Sequence, residues 1–113
     1  MRCIHVIEAT VDPGRMEDFI RTVQMWERDA LAHPDGPEHH TVLIDGEDPS
    51  QVVLISQFED EDKWRRFKGA ELLGTLQAGV DTCCQVPTTN RSLLVYYAAG
   101  MTGPRAIFGE APH

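Results

Sequence analysis

Residues 38–58 read EHHTVLIDGEDPSQVVLISQF. Two runs rich in β-branched and aliphatic residues, Glu38–Ile44 and Gln51–Phe58, flank Asp45-Gly46-Glu47-Asp48-Pro49-Ser50. A polar loop holding Gly and Pro between two such runs marks a β-hairpin. The second run is apolar on both sides, with Val52 and Leu54 alternating against Val53 and Ile55. A strand with two apolar faces needs cover on both, and this requirement shapes the reading of the whole chain.

Upstream, CIHVIEATV at residues 3–11 predicts a strand that Asp12-Pro13-Gly14 ends with a turn. Met16, Phe19, Ile20, Val23, Trp26, Ala30 and Leu31 then recur at spacings of three and four. That periodicity predicts a helix with Glu17, Arg21, Glu27 and Arg28 on its other faces. His33-Pro34-Asp35-Gly36-Pro37 stops it. Downstream, the acidic cluster Glu59-Asp60-Glu61-Asp62 precedes Trp64, Phe67, Leu72, Leu73, Leu76 and Val80. Carboxylates in a first helical turn are favoured by the helix dipole, and Gly69 is expected to split this helical region in two. A loop at 85–90 and a fourth strand at 91–99 (RSLLVYYAA) follow. The order β-α-β-β-α-β predicts an α+β, ferredoxin-like fold. Right-handed crossovers put the helices on one face of a four-stranded antiparallel sheet. Residues 1–100 form a single domain, and 101–113 a C-terminal tail. The simplest cover for the other sheet face is a second copy of the chain, which predicts a homodimer.

A chain of 113 residues has room for one domain. Ten basic against 18 acidic residues leave a net charge of −8, which argues against nucleic-acid or anionic-membrane partners. No apolar run approaches the roughly 20 residues of a membrane helix. The alternating MRCIHVIEATVD lacks the unbroken apolar stretch of a signal peptide, so a cytoplasmic location is expected. Three cysteines, with Cys83 and Cys84 adjacent, read as small buried apolar residues rather than a CxxC motif. There is no Gly-rich phosphate loop, no GxSxG elbow and no dinucleotide fingerprint.

Four stretches carry a resemblance to a known family. They are Val11-Asp12-Pro13-Gly14-Arg15, His33-Pro34-Asp35-Gly36, Asp45 with Asp48-Pro49-Ser50, and Gln57-Phe58-Glu59-Asp60-Glu61-Asp62-Lys63-Trp64. With the apolar positions between them, over residues 3–99, the chain resembles the antibiotic biosynthesis monooxygenase family of dimeric α/β barrels. Within it, Gly36-Pro37-Glu38-His39-His40-Thr41-Val42-Leu43 is most similar to small enzymes that oxidise aromatic polyketides of the tetracenomycin type. Such enzymes turn anthrone-like or naphthacenone-like rings into quinones with molecular oxygen, some of them with no flavin, haem or metal. The resemblance therefore implies a monooxygenase that needs no cofactor. Quinone-forming members often carry an Asn and a Trp four residues apart on the third strand, where Leu54 and Phe58 stand here. Haem-degrading relatives carry a His where this chain has Lys68, so the resemblance points away from haem degradation.

The His39-His40 pair is the most informative local feature. Neighbours on a strand point to opposite faces, so one ring only can look toward the helices, and the resemblance matches His40 to the pocket position. An imidazole with an ordinary pKa of about 6.5 can take a proton at neutral pH. It could abstract one from an anthrone-type C–H or phenol, leaving an anion electron-rich enough to meet oxygen. Trp26, Phe19, Phe58, Trp64 and Phe67 fall on inward faces. Singly they read as core, and together they could wall a flat slot for a ring system, with Leu54 beside them. Trp64, at the start of the second helical region, is the candidate wall at the reacting ring. Tyr96 and Tyr97 alternate, one able to reach a substrate oxygen and the other a dimer interface. Glu8 shares parity with Ile4, Val6 and Thr10 and falls where relatives place a polar pocket residue. Arg65 and Arg66 read as solvated helix charges. His5, His33, Glu38, His39 and His40 are the possible metal ligands, but adjacent strand residues diverge, so no metal is expected.

The resulting reading is a homodimeric, cofactor-free oxygenase acting on an aromatic polyketide, with His40 as base. A cyclase or isomerase on the same scaffold would use that base without consuming oxygen, and a non-catalytic dimeric binding module would not need it. The second copy is the part that the sheet alone demands. Light scattering at micromolar concentration should return about twice the 12.7 kDa chain mass, and a monomeric mass would refute the dimer.

Overall fold

The computed structural model describes residues 1–96 together with the backbone at 105–106 and 109–110. Strand β1 (Cys3–Thr10) leads through a short 3-10 turn, Pro13–Arg15, into helix α1 (Met16–Ala32). Then come β2 (His39–Ile44), β3 (Gln51–Phe58), α2 (Glu61–Lys68), α3 (Glu71–Asp81) and β4 (Thr89–Leu94). The sheet order is β2-β3-β1-β4, antiparallel at every pairing. This is the ferredoxin-like α+β arrangement. The tail expected at 101–113 lies outside the described residues, apart from the paired backbone of β5 (Arg105–Ala106) and β6 (Gly109–Glu110).

Period-two alternation sorts the sheet into two faces. Cys3, Ile7 and Ala9 of β1 join Val52, Leu54 and Phe58 of β3 in one core with Phe19, Val23, Trp26 and Ala30 of α1. Trp64 and Phe67 of α2 and Leu76 and Val80 of α3 complete it. Burying each of the larger side chains stabilises the fold by about 1.5–3 kcal/mol. On the opposite face Val53 and Ile55 are half-buried, as a strand with two apolar sides requires. The edge strands are more open than expected. Leu93 and Leu94 of β4 are 44% and 46% exposed, and Leu43 of β2 is 47% exposed.

The helix boundaries follow local chemistry. Asp12 accepts a hydrogen bond from the backbone N–H of Gly14, turning the chain into α1. Asp60 caps α2 by accepting from the N–H of Lys63 at 2.8 Å, with Glu61 and Asp62 in the first turn. Gly69 ends α2, so the helical region is in two pieces, as its sequence predicts. The fourth strand differs from the expected 91–99. It starts at Thr89, within the expected loop, and ends at Leu94. Its partner β1 fixes where it ends: Cys3, the first residue of β1, pairs with Leu94, and Glu8 pairs with Thr89. Tyr96 therefore lies beyond the strand and is 91% exposed, while Tyr97 lies outside the described residues.

The turn out of α1 brings two stretches of backbone close together. The Gly36 N–H donates to the His33 carbonyl, and a Cβ on Gly36 would sit 1.8 Å from the Ala30 carbonyl oxygen. Gly74, on α3, faces open space. In urea unfolding, Gly36→Ala should lose about 3 kcal/mol of stability, whereas Gly74→Ala should gain about 0.5–1 kcal/mol from its lower unfolded-state entropy.

Candidate active site

A polar row crosses the helix-facing side of the apolar sheet. His40 on β2 and His5 on β1 both pair with Ser56 on β3, and His5 pairs in turn with Ser92 on β4. His39, by the same register, sits opposite Gln57 on the other face. The alternation thus turns His40 toward the helices.

Each histidine is held at one ring nitrogen. The Nδ1–H of His40 donates to Glu27 Oε2 on α1 at 2.5 Å, since a carboxylate can only accept. The His40 side chain is 1% exposed. Its Nε2 is buried with no hydrogen-bond partner among the described residues, and the Trp26 ring meets its edge at 5.1 Å. His5 is held through amides. Gln77 Nε2 donates to Asp81 Oδ1 and Asn90 Nδ2 to Gln77 Oε1, both at 3.0 Å. The remaining Asn90 oxygen then accepts from His5 Nε2–H at 3.0 Å. A carboxylate at one end of this chain thereby leaves His5 Nδ1 as the acceptor nitrogen of the neutral ring. Burial pushes His5 below the ordinary imidazole range, and the electrostatic influence of nearby His40 and Lys68 acts the same way against the Asn90 bond.

Rings join the two histidines. His5 stacks on Trp64 at 4.6 Å, Trp64 meets Phe58 at 5.2 Å, and Phe58 meets Phe67 at 5.4 Å. Phe67 packs edge-on against Trp26, which meets His40. Trp26 Nε1–H is satisfied by the Leu72 carbonyl. The slot expected between these aromatic residues is thus filled by their own rings, with Leu54 and Phe58 fully buried among them. Open space begins on the far side of Trp64. A cleft of about 290 Å³ there is lined by His5, Trp64, Lys68, Leu73, Asn90, Arg91 and Ser92.

The structure therefore brings His40, Trp64, Trp26, Leu54, Phe58 and Phe67 into one cluster. Glu8 and Tyr96 are elsewhere. Glu8 has the parity of Val6 and Thr10, and that parity faces away from the helices. Its carboxylate accepts from Thr89 Oγ1 at 3.1 Å and lies 3.8 Å from Arg91. Glu27, expected on an outer helix face, reaches the sheet edge instead. It follows Trp26 and stands one turn after the buried Val23, the signal that could have placed it. His5 had a plainer signal in its alternation with Cys3 and Ile7. Among the described residues no three His, Cys, Asp or Glu converge as metal ligands, and no helix is long and apolar enough to cross a membrane.

Comparison with known proteins agrees with this architecture. A family model described as antibiotic biosynthesis monooxygenase matches residues 2–78. Among solved structures, the chain is similar to SnoaB, a cofactor-independent oxygenase from Streptomyces nogalater. Their TM-score is 0.71 at 18% identity, covering 86% of this chain and 95% of that one. It is also similar to Rv0793 from Mycobacterium tuberculosis, with TM-score 0.74, 11% identity, and 88% and 100% of the two chains covered. A conserved protein from Methanosarcina mazei gives 0.73 at 14% identity, covering 82% and 91%. Likeness at such low identity concerns the fold. No curated protein matches the sequence.

The depressed His5 has a thermodynamic consequence. Below its ordinary value of 6.5 the unfolded chain protonates this imidazole while the folded protein resists it. The unfolded state then binds more protons, so stability falls as pH drops from that point toward the lowered folded value. Above it, the ring is neutral in both states and contributes no slope. Denaturation at about pH 7.5 and about pH 5.5 should show a smaller loss for His5→Gln than for wild type. Equal losses would mean that His5 is not the group responsible.

Proposed function

The chain belongs to the antibiotic biosynthesis monooxygenase family, and from that premise we propose that it is a cofactor-independent oxygenase converting an anthrone-like or naphthacenone-like aromatic polyketide to a quinone. The observation that carries this reading is the state of His40. One ring nitrogen is fixed on Glu27, and the other is buried and unspent. A base prepared in this way has its tautomer and orientation set before the substrate arrives. In the reaction, His40 Nε2 takes a proton from the acidic ring carbon or a phenol of the substrate. The resulting anion gives electrons to molecular oxygen. One oxygen atom ends in the new ring carbonyl, and the other leaves as water with both hydrogens of the former methylene. The protein's own contribution is the base, the aromatic enclosure and the exclusion of bulk water. Ser56 stands opposite both histidines in the backbone register, on the same face of the sheet. Trp64, between cleft and interior, is the wall against which the reacting ring lies.

The enzyme works as a homodimer in this proposal. A second copy covers the outer sheet face, where Val53, Ile55, Leu43 and Leu93 are incompletely buried. Glu8 then belongs to that interface and not to the pocket, and Arg91 reaches toward it from the edge of the cleft.

Oxygen uptake on a panel of anthrones and naphthacenones tests the proposal. Wild type should consume oxygen with quinone formation, and His40→Ala should lose about a hundredfold or more of that rate. Glu27→Gln should lose a smaller part. Uptake that survives His40→Ala would discard the base while keeping the oxygenase. Product formed without oxygen consumption would establish a cyclase or isomerase.

A further inference from the structure

We infer that the cleft beside Trp64 is a binding subsite for an aromatic ring carrying a hydroxyl and, apart from it, a carboxylate, with Lys68 as the residue that selects the carboxylate. This deepens the oxygenase proposal by naming substituents of the substrate, and it rests on that proposal for its catalytic meaning alone.

The first ground is charge. The chain holds 18 acidic residues, yet none lines this cleft, while Lys68 and Arg91 do. The second is which cations remain uncommitted. Three basic residues occupy the last turn of α2. Arg65 is paired with Glu61 and Asp62, and Arg66 with Asp35. Arg91 is turned toward Glu8 on the outer face. Lys68 makes no ion pair among the described residues. An ammonium at the mouth of a cleft free of carboxylates attracts an anionic oxygen.

The hydroxyl follows from His5. Its Nε2–H is spent on Asn90, whose own orientation the Gln77–Asp81 end of the chain dictates. The acceptor left to the neutral ring is Nδ1, and since His5 lines the cleft we match it with a donor on the ligand. The same nitrogen would repel a second carboxylate, so one group of each kind is the fitting pair. Trp64 and Leu73 supply the apolar wall. At about 290 Å³ the cleft stands at the lower edge of ligand pockets. One or two fused rings fit it, and a larger system would enter by its edge.

Calorimetry under nitrogen, without turnover, tests this with a naphthoate bearing its hydroxyl on the second ring. The comparators are the naphthoate lacking the hydroxyl and the naphthol lacking the carboxylate. Wild type should bind the hydroxynaphthoate most tightly. Lys68→Met should weaken both carboxylates about tenfold and leave the naphthol unchanged. His5→Phe should erase the advantage of the hydroxyl. Arg66→Met, which removes the same charge away from the cleft, should bind as wild type does. Equal weakening by Lys68→Met and Arg66→Met would reduce the effect to net charge and overturn the subsite. Naphthol binding as tight as the hydroxynaphthoate and equally dependent on Lys68 would make the anion a phenolate and overturn the carboxylate. No binding of any of the three would overturn the cleft as a ligand site. The two proposals fail separately: oxygen uptake without Lys68 dependence removes this one, and Lys68-dependent binding without His40-dependent oxygen uptake removes the other.

Discussion

Eight consecutive residues of β1 pair with β3, from Cys3 opposite Phe58 to Thr10 opposite Gln51, and this register decides which chemistry lies beneath the helices. A slip of one residue would exchange the two faces of a strand. It would send His5 out of the core and draw the carboxylate of Glu8 into the apolar layer beside Leu54 or Val52. The register resists such a slip because the errors would be costly together: an uncompensated charge in an apolar layer and several large side chains exposed to water. β2 and β4 take their registers from these two strands, so the positions of His40 and Asn90 follow from the same central pairing.

Polar side chains inside an apolar layer have to be accounted for one by one. The protein does so with two different devices. On the β2 side a carboxylate from α1 meets His40 directly. On the β4 side a chain of two side-chain amides carries the influence of Asp81 to His5 without bringing a negative charge to the cleft. The difference matters for electrostatics. The first device places an anion close to its histidine, whereas the second transmits the directionality of a hydrogen bond and keeps carboxylates out of the cleft lining. Two rings of the same residue type, on adjacent parts of one sheet face, are thereby given different surroundings.

Much of the fold was legible in the sequence because its signals are local. The 45–50 loop, the 3.6-residue periodicity of α1, the acidic cap of α2 and the break at Gly69 each occupy one stretch of chain, and each matches the structure. The fourth strand was misjudged because its bounds are set by β1, its distant partner, and not by its own apolar residues. The site was legible in part for a related reason. Parity on β2 allowed one of the two histidines inward, the resemblance chose His40, and inward aromatic positions did gather around it. Glu27, Asn90, Gln77 and Asp81 could not be found in this way. Their roles depend on contacts between elements far apart in sequence, and exposed polar residues carry no periodic signal. Glu8 illustrates the converse: strand parity was read correctly, but which parity faced the helices was decided by pairing.

The unpartnered Nε2 of His40 also bears on how the sequence would change under selection. An unsatisfied buried polar atom costs about 1–3 kcal/mol, a sizeable share of the 5–15 kcal/mol that separates a folded domain from its unfolded chain. An apolar side chain at this position would relieve that cost, and Glu27, itself partly exposed, could turn to water. Selection for heat resistance alone would therefore tend to remove this imidazole early, and a laboratory lineage evolved for thermostability would report at residue 40 whether anything besides stability was being selected.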